Sequence, residues 1–570
     1  MKYLLLIFVF STSLAFGQNQ LTETDDLKLI TTDVQQSLVR TYAIRCFNNA
    51  LDFHKKLFNY EPTGKIMLVL EDYGDYGNGG TSAAPFNYIN IGLSPFNYSF
   101  ETFPAGERIY ALLNHELVHM AALDNTNKKD RFFQKVFAGK VIPSEEHPFS
   151  IFYSFLTIPR QYAPRWYHEG IASYVDTWMS GGIGEALGNY DEMFFRTKVI
   201  ENTRIYNAQS LESEGTSSNF QGLGLSYVYG TRFMGYLANT YGPEKILDWV
   251  KREEGSKSFF SKQYKQVFNM PIHKGWSDWI NFEKEFQNEN IQLIRKNAIT
   301  YPTPLTDKIL GSVSYAYFDS KRNKIYVAVN YPGKVPYLAA IDLNNGAIAQ
   351  LVDIKGAALY YVASVIFDEE GDKIYYTTDN NAYRDLNSYD LKTKKANRLI
   401  QDVRLGDLAF NPIDKSIWGV KHAGGYSTLV RIEKNDSAQN EQDTYNDWDQ
   451  KFTFDYGEDI FDIDISPDGQ HISAAVSDYR GHQKLMLYEL ADFNGTQKSE
   501  RMIFDFDVAS PQSFRFTKDG KYLMGSSFYS GISNIYRAEL AIFDGEGEGI
   551  EVMSNTETGL FRPILLDSAR

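Results

Sequence analysis

Cysteine is almost missing. One residue, Cys46, among 570 allows no internal disulfide and excludes a disulfide-stapled secreted scaffold. The chain is long enough to bury large cores without such staples. Positive charge is also short: 57 Lys and Arg stand against 72 Asp and Glu, a net charge of −15. That deficit argues against nucleic-acid binding and against electrostatic docking on anionic membranes. Long apolar runs are lacking beyond the first residues, so no later segment is expected to span a bilayer. The exception lies in MKYLLLIFVFSTSLAFGQNQ. Lys2 gives it a basic start, Tyr3 to Phe10 an apolar stretch, and Ala15-Phe16-Gly17 a small-x-small cleavage site. It reads as a signal peptide over residues 1–17, with no Cys at the cleavage point for a lipid anchor. The mature chain is expected to be exported, periplasmic or secreted, with no membrane span.

Histidine is scarce too, nine residues in all, and two of them fall in His115-Glu116-Leu117-Val118-His119. On a helix, residues four apart share a face. Two imidazoles there can bind one Zn²⁺, and the glutamate between them can reach a water on the metal. The surrounding GERIYALLNHELVHMAAL has no Pro and no internal Gly. Ile109, Leu112, Leu113, Leu117 and Met120 form an apolar stripe at helical spacing. Burying two imidazoles and a carboxylate within two turns is costly unless they share a partner, and a metal is the simplest one. Residues 164–176, PRWYHEGIASYVD, predict a second helix, opened by Pro164 and stopped at Gly181-Gly182.

Trp166, Glu169, Gly170, Ala172 and Tyr174 resemble, position by position, the W-x-x-E-G-x-A-x-Y helix that follows H-E-x-x-H in gluzincin peptidases. The resemblance covers roughly Lys65 to Val250 and is to the broader peptidase MA-like group. It implies an α+β zincin-like peptidase domain over residues 18–300, with His115, His119 and Glu169 as zinc ligands and Glu116 as the general base. His168 is a rival ligand, but it would point about 100° away from Glu169 on the helix. Asp176 is either a carboxylate that orients a ligand histidine or a solvated helix residue. Residues 225–237, LSYVYGTRFMGYL, are similar to the family's S-Y-x-x-G segment, which implies Tyr227 as a donor to the oxyanion, with Tyr229 the near alternative. No counterpart of the family's amine-binding G-x-M-E-N segment stands between Leu70 and Asn114. That departure favours an endopeptidase over an aminopeptidase.

Elsewhere in this part, Leu27 to Phe58 predicts a helix. Lys65 to Leu70 and Asn87 to Ile91 predict strands. The GNGG run at Gly77 to Gly80 predicts a turn. A linker is expected near Thr300-Tyr301-Pro302-Thr303-Pro304. After it the texture becomes short β-rich runs with a repeat: Phe318-Asp319-Ser320, Phe367-Asp368-Glu369, Phe410-Asn411-Pro412, Ile465-Ser466-Pro467-Asp468-Gly469 and Phe516-Thr517-Lys518-Asp519-Gly520. The period and four strands per unit predict propeller blades over residues 301–570. The Ser466-Pro467-Asp468-Gly469 turn resembles those of TolB-like and WD40-like β-propellers. Leu566-Asp567-Ser568 looks like the start of a sixth blade, which predicts a six-bladed propeller incomplete at the C-terminus. The other possibility is that a strand within Thr306 to Val313 completes the ring.

The chain is thus expected to be multidomain: an exported zinc metallopeptidase acting on a peptide or protein, with a propeller that binds substrate or a protein partner at its face. The rival expectation is a non-catalytic binding protein that works through its propeller, with a zinc site either vestigial or structural, the latter closed by His168 as fourth ligand.

Overall fold

The computed structural model describes residues 20–31, 37–75, 77–95, 107–182, 184–214, 224–331, 333–355, 363–438, 440, 444–493, 500–540 and 549–566. The expected signal peptide lies outside the described residues. An α+β part comes first. Its sheet is built from β1 (Gln20–Glu23), β2 (Leu27–Thr31), β3 (Ile66–Glu71), β4 (Gly79–Ser82) and β5 (Tyr88–Gly92), in the order β1-β2-β3-β5-β4. The three central strands run parallel, and β1 and β4 pair antiparallel at the two edges. Leu27, Leu29, Leu68, Leu70, Ile89 and Ile91 are fully buried, each two residues from the next on its own strand, as a half-buried sheet requires.

The expected helix from Leu27 to Phe58 is corrected here. Leu27–Thr31 is β2, in parallel register with Ile66–Leu70, and only Ser37–Phe58, α1, is helical. The run LKLIT carries apolar residues at both strand and helical spacings, so its neighbour in the sheet decides. The remaining helices are α2 (Arg108–Asp124), α3 (Lys128–Val136), α4 (Ser150–Thr157), α5 (Arg165–Met179), α6 (Asn189–Ile200), α7 (Ala208–Glu214), α8 (Leu225–Tyr241), α9 (Pro243–Val250), α10 (Phe260–Phe268) and α11 (Ile272–Ile294). All of them but α3 and α4 share one core with the sheet, in which Trp166, Trp249, Trp276 and Trp279 are fully buried and Phe282 packs at the margin. Among the described residues no helix is long and apolar enough to cross a membrane.

A five-bladed β-propeller follows. Its antiparallel sheets fall within residues 312–353, 365–400, 405–453, 459–505 and 512–552. Each repeat anchor ends an inner strand. Apolar clusters join consecutive blades, such as Tyr326 and Leu338 with Phe367 and Tyr376, or Leu386 with Leu408 and Val430. The expectation of six blades is corrected. The first and fifth blades meet directly, with the Arg515 guanidinium 4.5 Å over the Tyr315 ring and the Lys518 ammonium 5.4 Å from the Phe318 ring. Ser312–Val313 pairs with Val329–Asn330 of the first blade. The Val313 carbonyl accepts from Arg562, and Leu566 packs on the same blade. The Leu566 segment therefore belongs to the closing seam, and residues 567–570 lie outside the described residues. Ring closure joins ends distant in sequence, which repeat spacing does not encode.

The α+β part sits on the propeller face where the inner strands begin. Arg404 donates to Asp72 at 2.6 Å and to Asp75 at 2.9 Å. Asp459 accepts from the buried Arg108 at 2.6 Å and from Ser427 at 2.7 Å. Tyr456 donates to Glu107 at 2.6 Å.

Candidate metal centre

Helix α2 begins at a cap: the Glu107 carboxylate accepts from the backbone N–H groups of Ile109 and Tyr110 at 3.0 and 2.6 Å. From that fixed start the helix places His115 and His119 on one face, toward α5. Their Nε2 atoms are 3.1 Å apart. Glu169 Oε2, on α5, lies 3.4 Å from the first and 3.2 Å from the second. Among the described residues these three form the one group of such side chains able to hold a metal. The triangle fits zinc. A regular tetrahedron with ligands ~2.05 Å from its centre has edges of ~3.3 Å, and all three edges here lie within a few tenths of that. Two ring nitrogens and a carboxylate oxygen converging this closely form a donor set that one cation can occupy.

The surroundings orient the set. His115 Nδ1 is 2.7 Å from Asp176 Oδ2, which fixes the ring with Nε2 turned toward His119 and Glu169. Burial disfavours charge on His115, but Asp176 and Glu169 outweigh it and hold the ring well above its usual pKa. Burial also opposes charge on Glu169, yet His119 and His115 hold its carboxyl well below the usual range. Glu169 Oε1 accepts from Arg165 at 3.2 Å. His168 turns elsewhere: its Nε2 is 3.1 Å from the Arg160 carbonyl, and burial pushes its pKa down to about 4.

A close crossing of α5 and α8 brings Tyr227 to this site. A methyl on Gly170 would lie 2.5 Å from the Gly230 carbonyl carbon, and one on Gly230 would lie 2.2 Å from the Trp166 carbonyl oxygen. Only glycine at both positions lets the backbones touch. Tyr227 then stacks on His115, ring centroids 6.1 Å apart, beneath the Arg165 guanidinium at 5.6 Å. Burial raises its phenol well above the usual range, which keeps it a proton donor. Tyr229 is placed in the core, against Phe195 and Trp276, where its hydroxyl accepts from Tyr206 N–H at 3.2 Å.

Three contributions were missed by sequence reasoning. Gly79 and Gly80, expected in a turn, open the edge strand β4. A methyl on Gly79 would come 2.6 Å from Glu116 Oε1, and Thr81 donates to Glu116 Oε2 at 2.6 Å. The glycine pair shortly before the histidine motif was a readable signal. Glu185 borders the cleft, its carboxyl held well above the usual range by burial and by the nearby Asp191 and Asp176. The blade-four hairpin supplies Tyr479, Arg480 and Gly481 to the wall of the same cleft, a cavity of about 890 Å³. No local pattern links that hairpin to a site hundreds of residues earlier.

No protein-family model and no curated protein sequence matches the chain. Among solved structures, it is similar to TolB from Acinetobacter baumannii at 14% identity and a TM-score of 0.34, over 43% of this chain and 55% of that one. It is also similar to a prolyl endopeptidase at 12% identity and a TM-score of 0.28, over 43% of this chain and 36% of that one. A puromycin hydrolase is 12% identical with a TM-score of 0.30, over 40% of this chain and 38% of that one. The chain thus spans about half the length of the first of these and less of the others.

Proposed function

We propose that the chain is an exported zinc-dependent metallopeptidase of zincin-like type, cleaving peptide bonds in the cleft between the α+β part and the propeller. The observation that carries this reading is the triangle of His115, His119 and Glu169 beside the carboxylate of Glu116. Zinc held by three such ligands polarises a carbonyl and brings the pKa of water near neutrality. The chain's own groups do the rest. Thr81 holds one oxygen of Glu116, and the missing side chain of Gly79 leaves room for the other. Glu116 accepts a proton from the attacking water and returns it to the leaving amine. Tyr227, protonated and stacked on His115, donates a hydrogen bond to the developing oxyanion, a contact of about 2–4 kcal/mol in such settings. The edge strand β4 borders the cleft and offers main-chain groups to an extended peptide. The lack of an amine-binding segment favours internal cleavage.

The test is Glu116→Gln, with metal content measured alongside hydrolysis of a mixed peptide library. Zinc should remain and hydrolysis should fall about 10²–10⁴-fold. Hydrolysis that survives with zinc bound overturns the mechanism. A zinc-loaded wild type that cleaves nothing in the library supports a binding protein instead.

A further inference from the structure

Helix α4 is built inside out. Its inward residues are Ser150, Ser154 and Thr157, the last two with no exposure, while Phe149 and Phe152 are 71% and 62% exposed, with Ile151 and Tyr153 also exposed. A globular helix buries its apolar side, so this orientation needs a cause, and the cause is visible. The polar side is fastened to backbone: Ser150 Oγ accepts from Ser144 N–H at 2.7 Å, Thr157 Oγ1 accepts from Val141 N–H at 3.1 Å, and the Thr157 carbonyl accepts from Gln134 at 2.9 Å. Rolling the helix to hide its aromatics breaks all three. Helix α3 lies alongside, Phe137 stacking on Tyr153 at 4.7 Å, and extends the apolar surface with Phe132, 60% exposed, and Val136.

Charge tells what covers this surface. Residues Lys128–Lys140, KKDRFFQKVFAGK, hold five cations and one acid in a chain of net charge −15. The acid, Asp130, is buried against Arg252 at 2.7 Å, and Lys140 is taken by Asp124. Lys128, Lys129, Arg131 and Lys135 remain exposed around Phe132 and Val136. Arg131 stands 4.0 Å from Glu254, and Glu145 and Glu146 lie exposed on the loop between the two helices. Exposed aromatics on two short packed helices, one of them bearing exposed cations, fit the headgroup region of an anionic bilayer. We propose that α3 and α4 form a membrane-surface docking site, inserting Phe149, Phe152 and Phe132 at headgroup depth with the lysines on anionic lipid. The negative charge of the whole chain averages this basic patch away.

The test uses the full mature chain with vesicles of phosphatidylcholine alone, or of phosphatidylcholine and phosphatidylglycerol in equal parts. Cosedimentation is expected with the anionic vesicles, weaker on the neutral ones and weakened by salt. The double variant Phe149→Ser/Phe152→Ser should lower binding at least tenfold. Lys129→Gln and Lys135→Gln should each lower it about fivefold on anionic vesicles only. These side chains are exposed, so unfolding curves should match wild type, and each lysine variant checks the site independently of the aromatic pair. Absence of vesicle binding by the wild type, or binding that no variant changes, overturns the assignment. So does a dimer by light scattering that the double variant turns into a monomer, since the occupant is then a second copy.

Discussion

The two halves of the chain bury apolar surface in opposite ways. The α+β part gathers its large side chains into one cluster, where Trp166, Trp249, Trp276 and Trp279 meet one another and Phe233 of α8. The propeller divides its core into small clusters between consecutive blades. A shared core fixes the relative placement of everything that touches it, which suits a site drawn from three helices and a strand. A divided core tolerates variation blade by blade, and it leaves the loops of one face available to build a wall. The difference teaches that precision and shape can come from different halves, provided the two are held in register. That register rests on polar contacts, among them Arg108 with Asp459, Arg404 with Asp72 and Asp75, and Tyr456 with Glu107, and on Tyr426 and Tyr456 packed against the α+β core.

The largest expected effect breaks the shared core. Trp276→Ala should destabilise the α+β part by about 3–5 kcal/mol, and zinc affinity should fall with it. Leu386→Ala, between blades two and three, should leave zinc affinity unchanged. Metal titration of both variants checks the contrast. Next comes the register: Asp459→Ala strands Arg108 in a buried position and should cost about 3–5 kcal/mol, and calorimetry should then show the halves unfolding separately.

A third test is acid. Burial pushes His54, deep in the α+β core, down to about 4, below its ordinary 6.5. The unfolded chain binds that proton first as pH falls, so the contribution is whole above about pH 6.5 and is lost progressively down to about pH 4. The loss amounts to about 3 kcal/mol at 1.36 kcal/mol per unit. Urea unfolding of wild type and His54→Leu at pH 7.5 and 4.5 should show a loss about 3 kcal/mol larger in the wild type than in the variant. The smallest effect is Tyr456→Phe, about 1.5 kcal/mol for one hydrogen bond to a carboxylate. It should also lower kcat more than it raises KM if the propeller helps to fix the start of α2.

The sequence made the two helices of the candidate metal centre legible because each carries its chemistry-bearing residues and its helical period in the same short stretch. His115, His119 and Glu169 required no more than that. The blades were legible because the anchors repeat. What stayed hidden is pairing at a distance. LKLIT became a strand because Ile66–Leu70 lies beside it. Gly79 and Gly80 became an edge strand by pairing with Ile91 and Asn90, with Glu116 filling the space a side chain on Gly79 would need. The blade count turned on Arg515 meeting Tyr315 across the ring. Arg480 reached the cleft only through the docking of one half on the other.

The blade-four hairpin also gives the cleft a history. During synthesis the metal ligands and Glu116 emerge early, and Gly481, which helps to wall them in, follows more than three hundred residues after Glu169. The cleft cannot take its final shape until most of the propeller has been made. A nascent chain holds the cluster without the enclosure, so the time of completion, as much as the fold, decides when this site can first grip anything.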